Sequence, residues 1–71
     1  MPKIIGYVSK VVGPLVEVGG VKDTRMLELV EVWEEHLVGE IVRLSGQKAS
    51  VQVYEETTGL RPGSNVYGSG M

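Results

Sequence analysis

With 71 residues and a net charge of −2, the chain has room for one thin core and none for a cleft between domains, because so short a chain buries only about 60% of its unfolded surface. The absence of cysteine and the single histidine, His36, exclude a disulfide framework and any Cys- or His-rich metal site. Seven scattered Lys and Arg against nine acids argue against duplex nucleic acid as a partner, and no apolar run reaches the roughly 18–20 residues that a membrane-spanning helix needs.

The residue types lean towards strand. Thirteen Val, three Ile and three Thr are β-branched, and such side chains pack well on a pleated surface. Breaks fall at Gly13-Pro14, Gly19-Gly20, Ser45-Gly46, Gly59 and Pro62-Gly63. Short strands at this spacing suggest a small sandwich or barrel.

Residues 4–12 form the first run, with Gly6 inside it. A glycine there marks a bend, a bulge or a close backbone approach. Residues 15–18 form a second short run, and residues 37–44 another, with Gly39 inside. Ser45-Gly46-Gln47-Lys48 reads as a hairpin connection into residues 49–54, where the period of two is clearest. Ala49, Val51 and Val53 share one face; Ser50, Gln52 and Tyr54 share the other. Val66-Tyr67 fits a short closing strand in a glycine-rich tail.

Residues 24–37 read differently. Met26, Leu29, Val30, Trp33 and Leu37 follow helical spacing, with Glu28, Glu31, Glu34 and Glu35 on the other side and Asp23 or Thr24 as a cap. Local periodicity therefore predicts a helix here.

Few residues suggest chemistry. A phosphate loop needs a Gly-Lys pair within a glycine-rich turn, and the chain has none. Glu28, Glu31, Glu34, Glu35 and Glu40 fit a solvated face better than a carboxylate pair, since buried charge is rare. His36 lacks a Ser or Cys partner at recognisable spacing. Trp33, Tyr7, Tyr54 and Tyr67 could stack single-stranded bases, but that mode wants a positive groove. Lys48, beside a tight turn, weakly resembles the modified lysine of lipoyl and biotinyl carrier domains. The acidic or methionine neighbours of those lysines are missing, so a solubilising turn lysine is the better reading.

Three segments resemble the catalytic A subunit of A-type and V-type rotary ATPases. Val12-Gly13-Pro14-Leu15-Val16 is similar to its V-x-G-P-hydrophobic opening. Leu37-Val38-Gly39-Glu40-Ile41-Val42-Arg43-Leu44 resembles L-x-G-E-I-I-R-L. Val51-Gln52-Val53-Tyr54-Glu55-Glu56-Thr57-Thr58-Gly59-Leu60 is similar to I-Q-V-Y-E-E-T-x-G-L, followed by Pro62-Gly63. Order and spacing agree over nearly the whole chain. Trp33 and His36 stand where the family usually has glycine, in a V-G-x-x-G-L turn.

The resemblance implies an all-β fold: a small closed or nearly closed antiparallel β-barrel of about six short strands. Residues 26–32 would then be a strand and residues 33–36 its turn, against local periodicity. It further implies that residues 1–71 are a single barrel excised from the N-terminus of a much longer subunit. That subunit works on the cytoplasmic face of a membrane-associated complex. In the family such barrels form a crown with those of the B subunits. Mg-ATP is handled in a later domain, so no catalytic, cofactor or metal residue is expected here, nor nucleic acid or membrane insertion. Tyr54, Glu55, Glu56 and Thr57 combine a ring with hydrogen-bonding groups, a mixture common at subunit contacts. They are the expected interface.

Overall fold

A computed structural model describes residues 3–22, 24–33 and 36–68. Six strands follow in chain order: β1 (Lys3–Val12), β2 (Leu15–Gly19), β3 (Leu29–Val32), β4 (Leu37–Ser45), β5 (Lys48–Val53) and β6 (Asn65–Gly68). Every pairing is antiparallel, and the order β1-β2-β5-β4-β3-β6 closes into a barrel when β6 pairs with β1. Closure leaves none of these strands with an unpaired edge, which removes the usual template for aggregation.

Two hairpins are built by local chemistry. Val12 pairs with Leu15 across Gly13-Pro14, and Ser45 pairs with Lys48 across Gly46-Gln47. Gly13 and Gly46 have φ of 57° and 61°. A glycine with positive φ at the first central position matches the twist of the flanking strands.

Alternation fills the interior. Ile5, Val8, Val16, Val18, Val30, Val32, Ile41, Val51, Val53 and Val66 are buried together. Bulges shift the register at Ser9 and Ile5 in β1 and at Val42 in β4, bending strands that must curve around so small a barrel. A Cβ on Gly6 would lie 2.6 Å from the Gly19 carbonyl oxygen, and one on Gly39 would lie 2.8 Å from that of Gln52. Both positions are therefore close backbone approaches.

Residues 24–37 are not helical where described. The expected strand over 26–32 is shorter, running only from Leu29 to Val32, because Met26 and Leu27 form a turn. Helical spacing lost because Val30 and Val32 fill the core while β3 pairs with both β4 and β6. At His36, where the family pattern has glycine, the backbone keeps a glycine-like φ of 57°. Its ring lies 3.9 Å from that of Trp33, and its Nδ1 is 3.7 Å from Glu31 Oε1. Glu34 and Glu35 lie outside the described residues.

Candidate interaction surface

Tyr54 follows β5 directly, and its N–H donates to the Val38 carbonyl at 3.1 Å, prolonging the β4–β5 pairing. The side chain points outward and is 58% exposed. Its hydroxyl donates to Glu40 Oε1 at 2.9 Å. That hydrogen bond, then desolvation and the nearby negative charge, hold the phenol above its usual pKa of 10.0. The hydrogen bond ties the exposed ring to Glu40.

Thr57 is tied down from another direction. Its hydroxyl donates to the Gly13 carbonyl at 2.8 Å, while Val53 N–H donates to the Pro14 carbonyl at 2.9 Å. Glu55 and Glu56 lie exposed between these fixed points. The β1–β2 turn therefore anchors this segment on either side of Glu55 and Glu56, at Val53 and at Thr57.

Alternation in β3 and β4 adds neighbours that residue types alone do not single out. Leu29 and Val38 are exposed at 49% and 39%. Leu29 faces Glu40 across the strands, and Glu31 faces Val38. Period-two spacing over residues 37–44 already puts Val38 and Glu40 on one face. What that spacing lacks is the strand assignment of β3 beside them.

The other candidates scatter. Trp33 and Tyr67 lie with ring centroids 5.0 Å apart. Tyr7 covers Gly19 and Gly20 instead, and Tyr54 leans on Glu40, so the four aromatics make no common platform. The expected solvated acidic face needs correction. Glu28 is buried, at 7% exposure, and accepts from Thr24 Oγ1 at 2.7 Å and from Arg25 N–H at 3.3 Å. Thr24 therefore serves this carboxylate and caps no helix. Ser50, outward by periodicity, is also buried and donates to Glu17 Oε1 at 3.0 Å. Lys48 is exposed at the start of β5. Among the described residues no three His, Asp or Glu side chains gather to hold a metal, and no helix is long and apolar enough to cross a membrane.

Comparison with known proteins agrees with the barrel fold. The chain is 57% identical over 65 residues to the A subunit of the A-type ATP synthase of Metallosphaera sedula, covering 92% of this chain and 11% of the relative. It is 52% identical over 66 residues to the V-type ATP synthase alpha chain of Clostridioides difficile, covering 93% and 11%. The A subunit of the A-type ATP synthase of Thermococcus kodakarensis is 53% identical over 66 residues, with the same coverage. The chain thus spans about a ninth of the length of these relatives. The family model described as "ATP synthase alpha/beta family, beta-barrel domain" matches residues 8–70. With a closed six-stranded barrel running from Lys3 to Gly68, the chain belongs to the β-barrel domain of the ATP synthase alpha/beta family.

Proposed function

We propose that this barrel is an assembly domain of a catalytic A subunit in an ion-translocating A- or V-type ATP synthase. It joins the barrels of neighbouring B subunits in a crown that holds the hexamer together on the cytoplasmic side of the membrane. The parent subunit would handle Mg-ATP elsewhere, and residues 1–71 would be only its N-terminal part.

One observation carries the reading. A closed barrel exposes an ordered patch in which Glu40 orients Tyr54 and the Gly13 carbonyl anchors Thr57. An aromatic ring already tied by a hydrogen bond loses less entropy when a partner covers it, which suits a contact residue. The chain also lacks a Gly-Lys phosphate loop, the usual cradle for a triphosphate.

Two measurements test this. Titration of Mg-ATP into the domain, followed by backbone amide shifts, is expected to give no saturable, localised change; such a change at micromolar ATP overturns the absence of a nucleotide site. Replacing Tyr54 and Glu56 in the full-length subunit is expected to weaken ring assembly. Unchanged assembly discards the contact patch.

A further inference from the structure

We propose that the turn of residues 25–28 is a preformed docking knob, with Leu27 at its tip. Its partner is a neighbouring protein subunit that presents an apolar hollow rimmed by basic side chains. The proposal rests on the assembly reading above, and it names a contact outside residues 54–57.

The exposed side chains of the turn contribute little to folding. Leu27 has φ 67°, a left-handed conformation that disfavours a branched side chain and suits Gly or Asn. Its side chain is 63% exposed, so little burial offsets the strain. Met26 and Leu29 on either side are each 49% exposed. Glycine at position 27 would relieve the strain and remove an apolar group from water. Strain held at an exposed apolar tip points to use by a partner.

The turn is also firmly built. Glu28 N–H donates to the Arg25 carbonyl at 3.2 Å, and Leu27 N–H donates to the Ile41 carbonyl at 2.8 Å. Ile41 N–H returns a bond to the Glu28 carbonyl at 3.1 Å. Beneath the tip, the buried Glu28 carboxylate gathers the Thr24 hydroxyl and the Arg25 N–H. Gly68 leaves space for that carboxylate, since a Cβ there would lie 2.7 Å from Glu28 Oε2. A knob held in place in this way loses little freedom on docking.

Arg25 is exposed on the turn itself, so charge sets the partner's chemistry on the adjoining β3–β4 face. Leu29 faces Glu40, and Glu31 follows on the same face of β3. Among the described residues Glu40 accepts from the Tyr54 hydroxyl and pairs with no cation. An apolar surface covering Leu27 and Leu29 would strip water from that carboxylate. Such burial is tolerated only if the partner brings a Lys or Arg to it. Glu40 also joins the knob to Tyr54, making one continuous surface.

The test uses the full-length subunit with its co-expressed partner subunits. Thermal unfolding of the isolated full-length chain and sedimentation of the assembly are compared for wild type, Leu27→Gly and Leu27→Asn. Both variants are expected to keep or raise the melting temperature and to lose about tenfold or more in assembly affinity. Glu40→Gln is expected to flatten the salt dependence of assembly. Unchanged assembly in both Leu27 variants overturns the knob, and unchanged salt dependence in Glu40→Gln overturns the basic rim. A lowered melting temperature of the isolated chain would place the knob against its own fold. Concentration-dependent homodimers of the isolated chain, lost in Leu27→Gly, would make a second copy the occupant. Either result overturns the proposal. Deleting residues 1–71 separates the two readings. If assembly survives the deletion, the assembly function falls. If the deletion abolishes assembly and the Leu27 variants do not, only the knob falls.

Discussion

The β4–β5 hairpin, with four valines and one glutamate, and residues 24–37, with two valines and four glutamates, reach the same sheet by different routes. In the hairpin, period-two alternation, a two-residue turn and cross-strand pairing all agree. In residues 24–37 the local spacing is helical, and among the described residues only Leu29–Val32 and Leu37, the first residue of β4, are strand. Of the other described residues, Leu27 and Trp33 are held by tertiary bonds to the Ile41 and Asn65 carbonyls, and Thr24 and Arg25 by local bonds to the Glu28 carboxylate. Local propensity is a weak prior that surrounding pairing can reverse, and a strand supported from both sides is the case where it does so.

The sharpest way to break this comparison is inside the hairpin itself. Gly39→Val would place a Cβ 2.6 Å from Val51 Cγ1 and 2.8 Å from the Gln52 carbonyl oxygen. Backbone cannot step aside cheaply, so urea unfolding should show a loss of about 3 kcal/mol. A loss below about 1 kcal/mol would mean that the hairpin relaxes and that its register is less tightly set than the pairing indicates.

Next comes the clamp built around Glu28. Glu28→Ala removes the acceptor of the Thr24 hydroxyl and the Arg25 N–H. Leaving these part-buried groups without that acceptor should cost about 2 kcal/mol. Amide exchange at Leu27 and Leu29 should accelerate more than exchange in β5. Equal acceleration in both regions would erase the distinction between them.

A smaller effect is expected at Gly46. Its φ is 61° and nothing lies within 4 Å of a Cβ there. Gly46→Ala therefore isolates conformational strain, about 1 kcal/mol by thermal unfolding. A much larger loss would mean a clash or a change of turn type.

The finest probe is Tyr54. Its phenol is held above 10.0 mainly by the bond to Glu40. The protonated form is the one favoured, so the contact is complete below pH 10.0 and is lost as pH rises through the elevated folded value. Ultraviolet titration should show a tyrosine ionising late in wild type, with Glu40→Gln returning it towards 10.0. No difference between the two proteins would remove the ordered ring from the contact patch.

Much of the fold is readable along the chain. The runs at 4–12, 15–18, 37–44 and 49–54 correspond to β1, β2, β4 and β5 with ends moved by one residue or not at all. The resemblance, and not the periodicity, predicts a strand near residue 30, and it overestimates that strand's length. For the proposed contact patch, Tyr54 and Thr57 are visible as residue types. Their partners Glu40 and Gly13 lie 14 and 44 residues away in sequence, beyond any local pattern. The burial of Glu28 is illegible for the same reason, because the glycine that makes room for it is Gly68 on another strand.

By itself the sequence determined what depends on near neighbours. β-Branched alternation selects strands, and Gly-Pro and Gly-Gln turns with positive φ select two tight hairpins. Tertiary structure alone decided what depends on distant groups. Pairing of β6 with both β1 and β3 closed the barrel and drew Leu29–Val32 out of its helical pattern. The same closure buried the Glu28 carboxylate and turned Leu27 outward. The physical reason is that one short strand gains two ladders of backbone hydrogen bonds and two buried valines in the barrel, whereas an isolated helix of this length is marginal in water.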